Sequence, residues 1–385
     1  MKKFQLFILL VITQLTISYS QTETFYVQPI STDINYLSTE DSNYVVRNTT
    51  INLNKLVLFL GGSYSSPDDY SIFCQYPATL GFDVISLSYP NNVATAPLGT
   101  SSDVLVFDKY RQELCFGTPL SAAVSVDTLN SIYTRTLKLI QYLALTYPLQ
   151  NWGQYLATPT TLDWSKIIVS GHSQGSGHAC YLGKNFLVER VLMFSGPNDF
   201  STFFNNPANW LSQTGVTPTE KHFALLHIQD EIVPFSNQFA NLTALGMLVA
   251  DDSTLVDNLT SPFSNSHFLY TNIPALSYHA SPIGANPTLP SVWNYMLTSS
   301  LTVGTNDLVL SSENFKIFPN PATTKLNIDI PSSDVSKISI NNYLGQTVYK
   351  GINQTQIDIA NLPSGLYFIT IELGQNTITQ KFIKK

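Results

Sequence analysis

The sequence predicts an α/β fold with a mostly parallel sheet, followed by a small all-β domain. Short, almost continuously apolar runs alternate with helical patterns over residues 21–300, whereas residues 313–385 contain short alternating runs separated by turn residues. Nearly continuous apolar runs are typical of parallel strands that are covered on both faces. Alternation of such strands with helices indicates a single sheet with helices packed on it.

Six apolar runs in the first part are predicted strands of the parallel sheet: Lys55–Gly61, Phe82–Tyr89, Lys166–Ser170, Arg190–Ser195, His222–Ile228 and His267–Asn272. The clearest helix between them is predicted over Thr128–Tyr147, and Pro148 ends it because proline cannot continue a helix. Further helices are expected over Ser176–Asn185 and Pro290–Thr298.

The chain changes character after a stretch of small and polar residues at 301–312, which is predicted to be a linker. Five alternating runs beyond it are predicted strands: Lys325–Ile330, Lys337–Tyr343, Gln356–Ile359, Gly365–Leu373 and Asn376–Ile383. Pro331, Gly345 and the run Pro363–Gly365 supply turn signals between them. Residues 313–385 are therefore predicted to form a small β-sandwich.

The first twenty residues have the pattern of a signal peptide. Lys2 and Lys3 are followed by an apolar stretch, Phe4–Ile12, and the small residues Ser18 and Ser20 precede the expected cleavage point. The apolar stretch is far shorter than the ~20 residues that a membrane-spanning helix needs. We therefore predict a signal peptide at 1–20, a main domain at 21–300, and an exported protein without an integral membrane segment after cleavage.

Composition narrows the possible functions further. The 385-residue chain has a net charge of −7 and only 12% charged residues. Each end of the chain has more lysines than acidic residues, so the main body carries a more negative charge than the whole chain. Nucleic-acid binding is therefore disfavoured, because an acidic body repels the phosphate backbone. Neither metal nor nucleotide cofactor is expected, because the known short motifs for them are absent from the sequence. Cys74, Cys115 and Cys180 leave open a Cys74–Cys115 disulfide or three buried thiols.

The motif that carries chemistry is Gly171-His172-Ser173-Gln174-Gly175, which directly follows a predicted strand and precedes a predicted helix. G-x-S-x-G in this context is a nucleophile elbow, in which a tight turn presents the serine hydroxyl at the end of the sheet. Ser173 is therefore the predicted nucleophile. The alternative, an ordinary glycine-rich turn, is disfavoured by the strand before the motif and the helix after it.

The triad partners should follow in the order acid, then histidine. Asp230, just past the predicted strand His222–Ile228, is the predicted acid; Asp199, after the preceding strand, is the competing one, and Glu231 is expected to point elsewhere. His279, in the loop after the last predicted strand, is the predicted base, and His267 is the alternative. The remaining histidines lie within the elbow or its helix, or before the acid in the chain.

Ordinary serine-hydrolase chemistry assigns a role to each of these residues. His279 would take the proton of Ser173, and Asp230 would orient and stabilise the imidazolium, so that an acyl-enzyme forms and water resolves it. The oxyanion needs backbone N–H donors, predicted at Gln174 and in the loop Gly61-Gly62-Ser63, with Ser63 preferred over Gly62. The same triad serves ester or amide cleavage, and loss of one member would leave a non-catalytic surface-binding protein.

Together, the segments around these residues resemble the α/β-hydrolase superfamily. LFLGGSYSSPDDY, LGFDVISLSYPN, DWSKIIVSGHSQGSGHA, RVLMFSGPND and HIQDEIVPF are most similar to a secreted bacterial branch with GHSQG-x-GHA at the elbow. The resemblance covers residues 50–300 and implies a serine hydrolase that most often acts on carboxylic esters. The sequence reads GGS where many esterases read HGGG, so the second oxyanion donor stays open.

The C-terminal domain resembles another known family. FPNPA at 318–322, YLGQ at 343–346, LPSGLY at 362–367 and the lysine-ended terminus are similar, in order, to the C-terminal sorting domain of the type IX secretion system of Bacteroidota. This resemblance implies passage across the outer membrane with the secretion machinery as partner, and a secreted or cell-surface location. From the residues alone, a carbohydrate-binding module is the alternative.

In the main domain, the sequence leaves open whether Phe203, Phe204 and Trp210 line an acyl site or pack in the core.

Overall fold

The computed structural model describes residues 22–37, 39–247, 253–300, 316–329, 336–342, 346–373 and 376–385, so the predicted signal peptide and linker lie outside the described residues. The chain divides into two units at residues 301 and 302, and each is described by itself.

The described part of the first unit is built on a sheet of nine strands: β1 (Thr22–Val27), β2 (Asn43–Asn48), β3 (Leu56–Leu60), β4 (Asp83–Leu87), β7 (Ile167–His172), β8 (Arg190–Phe194), β11 (His222–His227), β12 (Ser253–Leu255) and β13 (Phe268–Thr271). Two short hairpins lie outside this sheet: β5 (Leu156–Thr158) with β6 (Thr161–Leu162), and β9 (Phe200–Ser201) with β10 (Asn206–Pro207).

The strand order is β1-β2-β4-β3-β7-β8-β11-β13-β12. β2 is antiparallel to both of its neighbours, and from β4 to β12 every pairing is parallel. All six strands predicted for the parallel sheet are confirmed to within one or two residues at each end. β1, β2 and β12, which form the two margins of the sheet, were not predicted from the sequence.

The helices that the structure describes are α1 (Pro29–Thr32), α2 (Ser71–Thr79), α3 (Val106–Phe116), α4 (Ile132–Thr146), α5 (Gln174–Asn185), α6 (Asn209–Ser212), α7 (Phe235–Ala244) and α8 (Leu289–Thr298). The predicted helix over Thr128–Tyr147 begins four residues late, because Ser131 is its N-cap and accepts a hydrogen bond from the Thr134 amide at 3.3 Å.

Alternate side chains of each parallel strand enter two separate apolar cores, one on each face of the sheet. Leu56, Leu58 and Leu60 of β3 pack in the core under α3, α4 and α5, whereas Val57 and Phe59 pack in the core under α2 and α8. This is the period of two that a strand imposes. Because both faces are covered by helices, the strands read as continuous apolar runs in the sequence.

The three cysteines are free thiols buried in these cores. Cys74 packs on the α2 side of the sheet, and Cys115 and Cys180 pack on the opposite side. The Cys74–Cys115 disulfide left open by the sequence is therefore excluded in this fold, since the sheet itself separates the two side chains.

In its described residues, the second unit has seven strands in two sheets: β14 (Lys316–Phe318), β15 (Lys325–Asp329), β16 (Ser336–Asn342), β17 (Thr347–Ile352), β18 (Gln356–Asp358), β19 (Gly365–Leu373) and β20 (Asn376–Lys384). Their orders are β14-β15-β18 and β17-β16-β19-β20, and all pairs are antiparallel. Leu326 and Ile357 of one sheet share a core with Ile340, Ile369 and Phe382 of the other.

This arrangement is a small β-sandwich, as predicted. The five predicted strands are confirmed, while β14 and β17 were missed. The fold class is thus α/β with a mostly parallel sheet, followed by an all-β sandwich.

Candidate active site

Ser173 lies in a strained turn between β7 and α5, with φ 55° and ψ −119°. The glycines on either side of it are required by close contacts. A Cβ on Gly171 would lie 2.3 Å from the carbonyl group of Gly175, and a Cβ on Gly175 would lie 2.0 Å from the carbonyl oxygen of Leu60. A strained serine held at the carboxyl end of a central strand is the geometry of a nucleophile elbow.

Asp230 and His279 come together although 49 residues separate them. The imidazole Nδ1–H of His279 donates to the Asp230 carboxylate, with Nδ1 2.9 Å from Oδ1 and 2.8 Å from Oδ2. The Asp230 side chain is fully buried, and that of His279 keeps 10% of its surface exposed. A carboxylate on Nδ1 fixes the tautomer that leaves Nε2 unprotonated and able to accept a proton.

Three further donors hold the Asp230 carboxylate in place. The amides of Ile232 and Val233 each donate to Oδ1 at 2.9 Å, and the side chain of Gln238 donates to Oδ2 at 2.9 Å. Burial by itself would raise the pKa of Asp230, but the hydrogen bonds from His279, Val233 and Ile232 outweigh it and hold the pKa below its usual value. The carboxylate is therefore charged and fixed in orientation.

The main chain of His279 is held from both sides, although it lies in a loop. Its N–H donates to Glu231 Oε2 at 3.0 Å. Its carbonyl accepts from His172 Nε2 at 2.9 Å and from Ser195 Oγ at 2.6 Å. These three contacts replace the hydrogen bonds of a regular element, so they determine where the imidazole sits.

His172, the second residue of the motif, is neutral in this setting. Burial first, and then the proximity of His279, lowers the pKa of His172 to about 3. A neutral imidazole that donates from Nε2 keeps an unprotonated Nδ1, and this buried atom has no hydrogen-bond partner within the described ranges. Its ring lies 4.8 Å from that of His279, centroid to centroid.

The loop after β3 approaches Ser173 closely, since a Cβ on Gly62 would lie 3.2 Å from Ser173 Cβ. The Gly62 amide already donates to Tyr70 Oη at 2.6 Å. The Ser63 amide has no acceptor in the part of the chain that the structure describes. The Ser63 hydroxyl donates to Gln174 Oε1, which ties this loop to the first residue of α5. The first amides of a helix lack intrahelical acceptors, and the Gln174 N–H likewise has no acceptor among the described residues.

The Ser173 hydroxyl is contacted by a residue that the sequence analysis did not single out. Asn198, in the loop after β8, donates from Nδ2 to Ser173 Oγ at 3.2 Å. No hydrogen bond joins Ser173 Oγ to His279 among the described residues. Catalytic hydrogen bonds are often long in a free enzyme and shorten when substrate binds.

The competing acid and base are both engaged elsewhere. Asp199 forms a fully buried ion pair with Arg111, whose Nη2 lies 2.5 Å from Asp199 Oδ1. Trp210 Nε1 donates to the same carboxylate at 2.8 Å. His267 stacks on Phe223 with ring centroids 4.2 Å apart, and its Nδ1 lies 3.2 Å from the carbonyl oxygen of His222. Neither is placed against Asp230 or His279.

The aromatic residues considered for the acyl site separate into two groups. Trp210 is buried and packs beside Tyr181, 5.2 Å away between ring centroids. Phe203 and Phe204 lie exposed on the β9–β10 hairpin, in edge contact with each other. Trp210 is therefore a core residue, whereas the two phenylalanines face solvent.

Within the described ranges, no group of three or more histidine, cysteine, aspartate or glutamate side chains is arranged to hold a metal ion. None of the described helices is long and apolar enough to cross a membrane.

Comparison with known proteins gives a family match for part of the chain and distant likenesses to other proteins, three of which are described below. Over 127 residues the chain is 28% identical to an endo-acting ulvan lyase of Formosa agariphila, which is 32% of this chain but only 24% of that protein. The chain thus spans about a quarter of the curated relative that it matches.

Two solved structures are distant likenesses of this chain. Esterase B of Lactobacillus rhamnosis, inhibited by a tributyrin phosphonate, has 12% identity and a TM-score of 0.41, over 72% of this chain and 84% of that one. TT1662 of Thermus thermophilus has 15% identity and a TM-score of 0.36, over 72% and 97%.

The family match concerns the second unit. Residues 316–385 match the family described as secretion system C-terminal sorting domain. The predicted similarity to the type IX sorting domain is thereby confirmed for this part of the chain. A chain that carries this domain is exported by the type IX secretion machinery, so the protein is located at the cell surface or is secreted.

Proposed function

We propose that this protein is an extracellular serine hydrolase that cleaves carboxylic esters through Ser173, His279 and Asp230. The observation that supports this most is the buried Asp230–His279 pair, which follows strands of the same parallel sheet as the strained Ser173. In a parallel sheet the carboxyl ends of the strands share one edge, where catalytic loops gather. A strained nucleophile and an oriented base at this edge are the elements of acyl transfer.

The proposed reaction begins when His279 Nε2 removes the proton of Ser173 Oγ as Oγ bonds to the ester carbonyl carbon. The imidazolium, stabilised by Asp230, then gives that proton to the departing alcohol oxygen. Water repeats the two steps on the acyl-enzyme and releases the acid. Charge on the carbonyl oxygen is met by the amides of Ser63 and Gln174, while the Gly62 amide is engaged with Tyr70.

The proposed organisation of the chain follows the same lines. Residues 1–20 serve as the signal peptide, 21–300 as the catalytic domain and 301–312 as the linker. Residues 313–385 carry the chain through the secretion system, so the ester substrate is encountered outside the cell.

The test uses the full exported chain with a p-nitrophenyl ester series from acetate to palmitate. Ser173→Ala should lower kcat by about 10⁶, because the nucleophile is removed while the rest of the triad remains. Ser212→Ala, which changes an exposed serine on α6, is the matched control and should keep full activity.

A fluorophosphonate probe provides a second readout that is independent of substrate choice. Wild-type protein should be labelled at Ser173, and Ser173→Ala should not be labelled. If neither labelling nor turnover occurs, the hydrolase proposal fails and a binding function takes its place. Turnover of p-nitroanilides in preference to esters would instead favour the amidase alternative.

A further inference from the structure

Asn198 is placed to act directly on the nucleophile. Its carboxamide Nδ2 donates to Ser173 Oγ at 3.2 Å, across the gap between the ends of β8 and β7. Its other polar atom, Oδ1, is buried and has no hydrogen-bond partner among the described residues. A buried polar atom without a partner costs free energy, so a side chain kept in this state indicates a role beyond stability.

The backbone around Asn198 is fixed to the backbone around Ser173 by a single arginine. Arg111, on α3, donates from Nε to Asp199 Oδ2 at 3.0 Å and from Nη1 to the carbonyl oxygen of Gln174 at 2.8 Å. Asp199 directly follows Asn198, and Gln174 directly follows Ser173. Arg111 therefore connects the residues next to the donor and next to the nucleophile, and the side chains of the ion pair are fully buried.

Two other contacts hold the same arrangement. A Cβ on Gly177 would lie 2.1 Å from Arg111 Nη2, so this glycine leaves the space that the guanidinium occupies. On the other side of Asn198, the carbonyl of Pro197 accepts from Asn241 Nδ2 at 2.8 Å. The distance between the Asn198 carboxamide and Ser173 Oγ is thus set by buried, rigid groups rather than by a mobile loop.

We propose that Asn198 is a further catalytic residue, whose amide N–H stabilises the negative charge that develops on Ser173 Oγ. This inference rests on the proposed function. As Oγ bonds to the carbonyl carbon, its proton moves to His279 Nε2, and Oγ is most anionic at that point. The same charge returns when the Oγ–acyl bond breaks in deacylation. Asn198 keeps its own protons throughout, and a fixed donor of this kind needs no reorganisation during reaction.

The opposite orientation of the carboxamide makes the opposite prediction. If Oδ1 faced Ser173, it would accept a hydrogen bond from the hydroxyl and hold that proton away from His279. Removing Asn198 would then leave the rate unchanged or raise it, whereas removal of a catalytic donor lowers the rate.

The first experiment compares Asn198→Ala with wild type in the full chain. We expect kcat for the best ester to fall by about 10², with KM nearly unchanged, because the lost contact matters in the transition state. Asn209→Ala, an exposed asparagine in the same connection between β8 and β11, is the matched control and should behave as wild type. An Asn198→Ala rate equal to or above that of wild type would overturn the inference.

The second experiment separates catalysis from structural support. Asn198→Asp places a carboxylate beside Oγ at neutral pH, but its protonated form is again a donor. The ratio of the Asn198→Asp rate to the Asn198→Ala rate should therefore rise as pH falls from 7 toward the carboxyl range. A ratio that does not change with pH would contradict a donor role.

The outcomes distinguish this inference from the proposed function. If Ser173→Ala retains activity, the serine mechanism itself fails. If Ser173→Ala is inactive and wild type is labelled by fluorophosphonate, but Asn198→Ala matches wild type, only the role of Asn198 fails.

Discussion

The loops that follow β8 and β11 begin alike and end in different chemistry. Each places an aspartate a few residues beyond a buried strand, and both carboxylates are fully buried. Asp199 is neutralised by Arg111 from α3, whereas Asp230 receives the imidazole of His279. The difference lies in the partner: a guanidinium that cannot lose its proton makes a structural pair, and a histidine makes a pair that can exchange protons.

Because Asp199 and Asp230 are equally buried, replacing each in turn should separate an effect on catalysis from an effect on folding stability. The largest effect is expected for Asp230→Asn. The amide keeps the size of the side chain but lets His279 adopt the wrong tautomer, so kcat should fall by about 10⁴.

Ester turnover and thermal unfolding, measured on the same sample, check this expectation. The melting temperature should stay close to that of wild type, and Asp68→Asn, at an exposed aspartate, should change neither quantity. A tenfold loss or less would mean that Asp230 does not orient the base.

Asp199→Asn should show the reverse pattern. It leaves the Arg111 charge buried without its counterion, which typically costs about 3–5 kcal/mol of folding free energy. Denaturant unfolding would measure this loss, and kcat should fall less than in Asp230→Asn.

The double variant Arg111→Met, Asp199→Leu tests the cause. Because it removes both charges, it should recover much of the stability that Asp199→Asn loses. If the double variant is no more stable than the single one, desolvated charge is not the source of the loss.

A smaller effect is expected for Glu231, which follows Asp230 but binds the main chain of His279 rather than its ring. Glu231→Ala removes the acceptor of the His279 N–H, and kcat should fall about tenfold because one hydrogen bond to a charged group is lost.

Glu231→Gln is the matched control, since its amide oxygen can still accept from the same N–H. It should therefore lie closer to wild type in kcat. Equal losses in the two variants would show that the charge, and not the acceptor, is what matters.

The last effect is a dependence of stability on pH, and it concerns His172, whose Nε2 donates to the same His279 carbonyl as Ser195 Oγ. Burial, and then the proximity of His279, lowers the pKa of His172 to about 3, so between pH 6.5 and 3 the unfolded chain binds a proton that the folded chain does not. Stability therefore falls as pH falls through this window, with a slope of about 1.4 kcal/mol per pH unit from this residue.

Replacing the imidazole should remove that share of the slope. His172→Asn should flatten the dependence of unfolding free energy on pH between 4 and 6 by about one proton. His222, whose pKa burial lowers to about 4, contributes in the same direction and is unaffected by this change. An unchanged slope would show that His172 is already protonated in the folded state.

Two kinds of feature could be predicted from the sequence: the continuously apolar strands, and the order of the candidate site residues along the chain. Six strands, β3, β4, β7, β8, β11 and β13, were recognised because burial on both faces makes them continuously apolar. The pairing of Asp230 with His279, and not with His267, agrees with the predicted order of nucleophile, acid and base. The roles of these residues in catalysis stay a prediction until they are measured.

The contacts made by loops could not be predicted in this way. Glu231 and Asn198 act on neighbours 48 and 25 residues away, and no periodicity or motif announces such contacts. Their signal was present only as polar residues directly after buried strands. The antiparallel strands β1 and β2, at one margin of the sheet, were also missed, because apolar and polar residues alternate only weakly along them.

The three buried cysteines allow the opening of the two apolar cores, one on each face of the sheet, to be measured separately. Burial raises the pKa of the Cys74, Cys115 and Cys180 thiols, and all three side chains have no exposed surface. Alkylation by iodoacetamide must therefore wait for the fold to open. Because Cys74 lies on one face of the sheet and the other two on the opposite face, mass spectrometry of the modified peptides would report which layer of helices detaches first.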